Sequence, residues 1–209
     1  MAVRTDEPPD TARSLGRGIE QFHHPRPIYA GGWPTPERVR LMAGLSGRVL
    51  EFGAGDGVKL TCYPAEVSEV VLVEADPFLR GTAEQVAARV TVPVRVVGGS
   101  LTRVPAPDAA FDAVVTSLAL CASPSAAKTL EEVRRVLRPG GELRFYEHQR
   151  SANQLLATCE KLLWSRVLGG CHPASDCLAA LDRAGFAIIG LDRLTYCHVS
   201  HVLGSARPR

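Results

Sequence analysis

Residues 48–57, RVLEFGAGDG, contain the clearest structural signal in this 209-residue chain. An apolar run that includes Val49 and Leu50 leads directly into glycines at every second position. Glycine lets a backbone turn sharply and lets a ligand come close without interference from a Cβ atom. The stretch therefore predicts a buried strand, a ligand-binding glycine loop and a helix after it.

Further apolar runs continue this pattern along the chain and are predicted as strands. The clearest of the helices between them begins at Ser123-Pro124-Ser125 and ends at Arg138-Pro139-Gly140-Gly141. Continuous apolar strands separated by helices predict an α/β fold, with a mostly parallel sheet that helices cover on both faces. The strands that follow the first one are predicted at residues 70–74, 93–97, 111–117, 142–148, 187–191 and 201–206.

Length and composition indicate one globular domain with an ordinary core. The chain is 45% hydrophobic and has a net charge of +2, and no Lys/Arg-rich run suggests a nucleic-acid partner. No stretch approaches the about 18 apolar residues of a membrane span, and the polar N-terminus is unlike a signal peptide. We therefore expect a cytoplasmic protein without a membrane partner. The six cysteines contain no C-x-x-C pair, which predicts reduced thiols and no metal site.

Three regions are predicted along the chain. Residues 1–21 are polar and rich in proline, and we expect a disordered tail there. Residues 22–46 form an arm, FHHPRPIYAGGWPTP (22–36), followed by a helix. The arm would either cover the core or close as a lid over a ligand. Residues 47–209 form the main domain, and the sequence contains no internal repeat and no second domain.

Two acids near the glycine loop indicate its ligand. Glu74 ends the second strand, where an acid can accept hydrogen bonds from two ribose hydroxyls. These features fit both nicotinamide dinucleotides and S-adenosylmethionine. However, the dinucleotide motif G-x-G-x-x-G requires glycine where this chain has Val58. The carboxylate of Glu51 would also repel a pyrophosphate and attract the ammonium or sulfonium group of S-adenosylmethionine. The sequence therefore favours S-adenosylmethionine.

Four segments resemble the class I S-adenosylmethionine-dependent methyltransferases: RVLEFGAGDG (48–57), VVLVEADPFLR (70–80), FDAVVTSLALC (111–121) and VLRPGGELRFYEH (136–148). The resemblance covers roughly residues 37–206. It implies a three-layer Rossmann-like methyltransferase fold, with a mostly parallel seven-stranded sheet whose last strand is antiparallel. It also implies S-adenosyl-L-methionine as the methyl donor, S-adenosyl-L-homocysteine as the product, and no metal.

Within this class, the chain is similar to a small bacterial branch that resembles the alkyl-thiol methyltransferases. The similarity rests on Tyr63-Pro64, Leu120-Cys121, RFYEH (144–148) and GGCH (169–172). It favours S-methylation of a small thiol or dithiol, such as a natural product or a xenobiotic. Methylation of oxygen or nitrogen in a small specialised metabolite is the alternative, and binding of S-adenosylmethionine without catalysis is a second one. We expect a monomer or a homodimer.

The resemblance implies a set of cofactor-binding residues. Glu51 would act near the amino group of the methionine moiety, and Glu74 would hold the ribose hydroxyls. Ser100 stands where many relatives have an acid, so its hydroxyl would contact the adenine amino group. The other cofactor residues are Gly53, Ala54 and Gly55 in the loop, Ala75 and Leu101 around adenine, and Thr116 and Ser117 beside the methionine moiety.

Methyl transfer requires an aligned acceptor and, for a neutral acceptor, removal of a proton. His148 lies just past the fifth predicted strand, on the edge where ligands bind in open α/β sheets. It is therefore the candidate general base, although a structural role in capping its loop is an equal alternative. The other candidates for proton transfer are Glu147, His23, His24, Tyr29 and His172. The residues predicted to contact the acceptor are His23, His24, Tyr29, Trp33, Tyr146 and His172.

Overall fold

The computed structural model describes residues 35–150, 176–196 and 199–209. The predicted tail and nearly all of the predicted arm lie outside these ranges. Five of the predicted acceptor-site residues also lie outside them, namely His23, His24, Tyr29, Trp33 and His172. The predictions made for these residues stay predictions.

Helices and strands alternate along the described residues. The helices are α1 (Pro36–Met42), α2 (Pro77–Ala87), α3 (Ala126–Val136) and α4 (Cys177–Arg183), and a 3₁₀ helix spans Val58–Cys62. The strands are β1 (Gly47–Phe52), β2 (Val67–Glu74), β3 (Val94–Gly98), β4 (Phe111–Ser117), β5 (Leu137–His148), β6 (Phe186–Tyr196) and β7 (Val199–Pro208).

The strands form one seven-stranded sheet in the order β3-β2-β1-β4-β5-β7-β6. Strands β1 to β5 pair in parallel, and β7 is antiparallel to both of its neighbours, β5 and β6. The predicted strands and the antiparallel last strand are therefore confirmed. Because the parallel strands all end at one edge of the sheet, the loops that follow β1, β2, β4 and β5 lie together there.

Apolar side chains fill the space on both faces of the sheet, which gives the fold three layers. Successive residues of a strand point to opposite faces, so Val49 and Leu50 belong to different cores. Helices α3 and α4 cover one face, and α1, α2 and the 3₁₀ helix cover the other. The buried helix residues include Leu130, Val133 and Leu181 on the first face, and Met42, Leu60 and Ala83 on the second.

Strand β5 begins earlier than the predicted residue 142. Phe111 of β4 pairs with Leu137, whereas Ala113 pairs with Glu142, so the residues between the two pairs bulge out of the ladder. Gly140 has φ +81° in this bulge, a conformation that glycine adopts without strain. The Arg-Pro-Gly-Gly run therefore ends α3 as predicted, but it interrupts β5 instead of preceding it.

No helix in the described part of the chain is long and apolar enough to cross a membrane.

Candidate active site

The carboxylate of Glu74 joins the glycine loop to the end of β2. Its Oε2 accepts a hydrogen bond from the Gly55 N–H at 2.8 Å, and its Oε1 accepts one from the Asp76 N–H at 2.9 Å. Each carboxylate oxygen can accept a further hydrogen bond. Glu74 therefore retains the capacity to accept two hydroxyl donors. Burial raises the pKa of Glu74 above its ordinary value, and the two backbone N–H groups oppose this shift.

Of the three loop glycines, only Gly55 borders open space. All three have positive φ angles. A Cβ atom on Gly53 would lie 3.2 Å from Cβ of Ala119, and one on Gly57 would lie 3.1 Å from Cα of Ala83. On Gly55 it would meet nothing within 4 Å. Gly53 and Gly57 are thus required by the packing of the protein itself, whereas Gly55 leaves room for a ligand.

The helix predicted after the glycine loop is the 3₁₀ helix Val58–Cys62. Gly57 precedes it in a left-handed conformation, with φ +76°. Pro64 follows closely and disfavours the α conformation at Tyr63, which has ψ 131°. The segment is therefore held to five residues. It places Lys59 and Tyr63 beside Glu51.

Glu51 is buried and already has two partners. Nζ of Lys59 lies 2.8 Å from its Oε1 as an ion pair, and the Tyr63 hydroxyl donates a hydrogen bond to its Oε2 at 2.8 Å. Burial raises the pKa of Tyr63 well above its ordinary value, and the charge of Glu51 adds to the shift. Lys59 therefore offsets the negative charge of Glu51, which was expected from the sequence to attract a cationic ligand. The role of Glu51 near an amino group stays a prediction.

Asp76, the second acid after β2, serves helix α2. Its Oδ1 accepts hydrogen bonds from the N–H groups of Phe78 at 2.8 Å and Leu79 at 3.4 Å, as an N-cap does. The side chain of Glu74 does not cap a helix in this way. This difference favours Glu74 over Asp76 as the acceptor of hydrogen bonds from the ribose hydroxyls.

The predicted adenine contacts lie at the ends of β2 and β3. Leu101 is buried, and its Cδ2 would lie 3.5 Å from a Cβ atom on Gly53. The exposed hydroxyl of Ser100 lies 3.3 Å from that of Thr102. Arg80, which the sequence analysis missed, donates hydrogen bonds to the carbonyl groups of Glu74 at 3.1 Å and Ala75 at 3.2 Å. These two hydrogen bonds hold the backbone at Ala75, the residue predicted to lie beside adenine.

Thr116 and Ser117 end β4 beside the glycine loop. Thr116 pairs with Phe52 of β1, and its Oγ1 is buried without a hydrogen-bond partner. A buried hydroxyl that lacks a partner costs free energy, so it is available to a polar group of a ligand. The open space at Gly55, the spare acceptor capacity of Glu74 and this hydroxyl all fit S-adenosylmethionine.

Glu147 holds the loop that follows β4. Its Oε1 accepts hydrogen bonds from the N–H groups of Ala119 at 3.1 Å and Leu120 at 3.0 Å, and its Oε2 accepts one from Cys121 at 3.1 Å. The side chain is fully buried, which raises its pKa, and these N–H groups oppose the shift. Because Ala119 packs against Gly53, Glu147 supports the glycine loop through the loop that it holds.

Two histidines lie together where β5 ends and β7 begins. His148 pairs in register with His201, and their ring centroids are 4.7 Å apart. The ring of Tyr146 stacks on His201, with centroids 5.3 Å apart. Nδ1 of His148 lies 3.3 Å from Sγ of Cys121. The structure thus brings the predicted residues Tyr146 and His148 together and adds His201. The sequence analysis missed His201 because it predicted residues 201–206 only as a strand.

Within the described ranges, no three or more His, Cys, Asp or Glu side chains are grouped so that they could hold a metal ion. Cys62, Cys121 and Cys177, the cysteines of the described ranges, take part in no disulfide. Cys177 is buried in α4, and burial raises its pKa well above the ordinary value.

The strand order, the antiparallel last strand and the glycine loop with its acid define a class of enzyme. Residues 50–145 match the family model described as a methyltransferase domain. A methyltransferase dependent on S-adenosylmethionine from Mesorhizobium loti shares the fold at a TM-score of 0.61 and 19% identity, over 82% of this chain and 96% of that one. The chain belongs to the class I S-adenosylmethionine-dependent methyltransferases.

Within this class, the chain is similar to two kinds of methyltransferase. The chain is 32% identical to thiol S-methyltransferase TMT1B of Mus musculus over 166 residues, which cover 74% of this chain and 67% of that protein. It is 31% identical to the protein of the same name from Homo sapiens over 185 residues, 81% of this chain and 75% of that protein. A demethylmenaquinone methyltransferase of Deinococcus radiodurans is 30% identical over 139 residues, 66% of this chain and 58% of that protein.

Proposed function

We propose that this methyltransferase transfers the methyl group of S-adenosylmethionine to the sulfur of a small thiol. The observation that carries the proposal is the similarity to proteins named thiol S-methyltransferases, which extends over 74% of the chain in one case. Chemistry supports it as well, because a thiol ionises close to neutral pH and its thiolate is a strong nucleophile. Such an acceptor loses its proton more readily than an alcohol or a phenol does.

The bound cofactor supplies an activated methyl group on a positively charged sulfur. On the protein side, the carboxylate of Glu74 would accept hydrogen bonds from the ribose hydroxyls. The open backbone at Gly55 would lie against the methionine moiety, and the buried hydroxyl of Thr116 would meet one of its polar groups. The loop at Ala119–Cys121, held by Glu147, would close the site on the side of β4.

The acceptor would bind where β5 ends and β7 begins, next to the cofactor. Tyr146, His148 and His201 present aromatic and imidazole surfaces there, which suit a small and fairly apolar molecule. We propose small molecules as the only partners, and a monomer or a homodimer as the working form.

A different acceptor atom is the second candidate. The similarity to demethylmenaquinone methyltransferases shows that relatives at comparable identity carry names that do not specify a thiol. An oxygen or nitrogen acceptor would then take the place of the thiol in the same site. A protein that binds S-adenosylmethionine without transferring its methyl group is the third candidate.

An acceptor screen followed by mass spectrometry tests these candidates. The purified protein is incubated with S-adenosylmethionine and matched alkyl thiols, alcohols, phenols and amines, and each product is detected by its added methyl group. We expect methylation of thiols, at a rate that rises with pH toward the pKa of the free thiol at about 8.5. Methylation of phenols or amines with no activity on thiols would contradict the proposal. Tight cofactor binding without any product would support the third candidate.

A further inference from the structure

His201 and His148 occupy neighbouring strands at the candidate acceptor site, but their hydrogen bonds differ. Nδ1 of His201 lies 3.0 Å from the carbonyl oxygen of Val199. Nδ1 of His148 lies 3.3 Å from Sγ of Cys121. The two partners differ in what they can do, since a carbonyl oxygen only accepts hydrogen bonds, whereas a thiol both donates and accepts them.

The carbonyl of Val199 fixes the tautomer of His201. Because this oxygen only accepts, Nδ1 of His201 must carry the proton, and Nε2 of the neutral ring then has a lone pair. In the described part of the chain, Nε2 has no hydrogen-bond partner. His201 is only 6% exposed, but Nε2 is not one of the fully buried side-chain atoms that lack a partner, so a small part of its surface remains accessible. His201 therefore presents a defined and accessible base.

The neighbours of His148 leave its tautomer undefined. The Cys121 thiol has one proton and lies beside both the imidazole of His148 and the carboxylate of Glu147, to which it also hydrogen-bonds. If the thiol proton points to His148, the ring carries its own proton on Nε2 and offers no base there. If the thiol proton points to Glu147 instead, Nδ1 of His148 carries the ring proton and Nε2 has the lone pair, so the tautomer of His148 depends on the thiol, whereas that of His201 does not.

The surroundings of His201 keep it neutral. Burial lowers the pKa of His201 below its ordinary value of 6.5, and His148 on β5 lowers it further. The carbonyl of Val199 and the carboxylate of Glu37 on α1 act in the opposite direction. Tyr146, which stacks on the ring, is a further titratable neighbour. The net shift leaves the lone pair on Nε2 available at neutral pH.

We propose that Nε2 of His201, rather than His148, receives the proton of the methyl acceptor. The inference rests on the proposed function, methyl transfer to a small protic acceptor. In the reaction, the lone pair of the acceptor atom forms a bond to the methyl carbon, and the bond between that carbon and the cofactor sulfur breaks with its electrons going to sulfur. The acceptor proton moves to Nε2 of His201 and leaves later to water. His148 acts as a positioning residue through Cys121.

Two substitutions, His201→Gln and His148→Gln, test the assignment with two acceptors. An alkyl thiol is largely protonated at neutral pH and requires a base, whereas an aryl thiol is already ionised. We expect His201→Gln to lower kcat for the alkyl thiol by about 100-fold, the lower end for general-base catalysis, with KM for S-adenosylmethionine unchanged. The loss should shrink to a few-fold with the aryl thiol or at high pH. We expect His148→Gln to lower kcat for the alkyl thiol less than His201→Gln does, and to lower kcat for the aryl thiol by the same factor.

The proposal would be overturned if His148→Gln lowered kcat for the alkyl thiol more than His201→Gln does. It would also be overturned if His201→Gln lowered kcat equally for both thiols. Nitrogen-15 NMR of the imidazole groups tests it without any activity, on the wild-type chain. We expect His201 to show the tautomer protonated at Nδ1, and the tautomer protonated at Nε2 would refute it. If the wild-type chain methylates none of the acceptors offered, the proposed function fails, and the NMR result still decides on His201.

Discussion

The backbone N–H of Gly55 donates a hydrogen bond to Oε2 of Glu74 across 2.8 Å. This contact joins the loop after β1 to the last residue of β2. It places the carboxylate beside Gly55, the only one of the three loop glycines that borders open space. The two residues that the sequence marks most strongly as cofactor ligands therefore form one unit, and a change in either should disturb the other.

Substitution of Gly55 should block the cofactor. We expect Gly55→Val to weaken S-adenosylmethionine binding strongly, because the side chain would enter the open space beside the loop. Gly140→Val is the matched control, since Gly140 also has a positive φ angle and open space around its Cα but lies in the bulge of β5, away from this loop. Calorimetric titration should show reduced affinity only for the Gly55 variant. Equal losses of affinity in both variants would assign the effect to backbone strain.

Removal of the Glu74 carboxylate should cost binding free energy. We expect Glu74→Ala to lose about 1.5–3 kcal/mol of S-adenosylmethionine binding, the range for hydrogen bonds to charged groups. Asp76→Ala is the comparison, and because Asp76 caps α2, we expect it to lower stability by about 1 kcal/mol and to leave affinity nearly unchanged. Unchanged affinity in a folded Glu74→Ala protein would move the ribose contact to Asp76.

Cofactor affinity should decrease at acidic pH. The ribose hydroxyls donate to the carboxylate of Glu74, so binding favours its ionised form. Since burial raises the pKa of Glu74 above its ordinary 4.5, affinity should begin to fall at a pH above 4.5 and continue to fall as the carboxylate is protonated. Titrations between neutral pH and pH 5 would measure this for the wild type and for Glu74→Gln. The Gln variant should bind weakly and lack this pH dependence, and an equal dependence in both would exclude Glu74 as its source.

The ion pair of Lys59 and Glu51 should matter more for stability than an exposed pair does. Both side chains are buried, at 5% and 1% exposure, so Lys59→Met would leave an uncompensated carboxylate in the core. We expect a loss of about 3–5 kcal/mol of unfolding free energy. Arg209→Met, which removes the pair with Asp182 at the surface, should cost less than about 1 kcal/mol. Denaturant unfolding compares the two, and similar losses would contradict the prediction.

Glu147→Gln should destabilise the loop after β4. The amide offers one acceptor oxygen where the carboxylate accepts three backbone N–H groups, and an N–H left without a partner costs about 1–3 kcal/mol. Glu131→Gln on the exposed side of α3 is the control and should change stability by less than about 0.5 kcal/mol. Thermal and denaturant unfolding would measure both variants. Equal stability of the two variants would show that Glu147 does not hold this loop.

Much of the architecture could be predicted from the sequence because its causes are local. A continuous apolar run forms a buried strand wherever helices cover the sheet, and Ser125 caps α3 through the N–H of Lys128, only three residues away. The glycines at 53, 55 and 57 likewise identify the loop, because all three lie within one short segment. The bulge in β5 was harder to predict, since its extra residues follow from pairing with β4 and not from their own pattern.

The sequence by itself determined the strands, the glycine loop and the acid after β2, since each depends on residues within one short segment. Only the tertiary structure decided that Lys59 offsets the charge of Glu51, that Glu147 holds the loop at Ala119–Cys121, and that His201 lies beside His148. The last contact depends on the antiparallel register of β5 and β7, whose paired residues are far apart in the chain. No periodicity within either strand encodes that register, because it is set by the packing of the whole sheet.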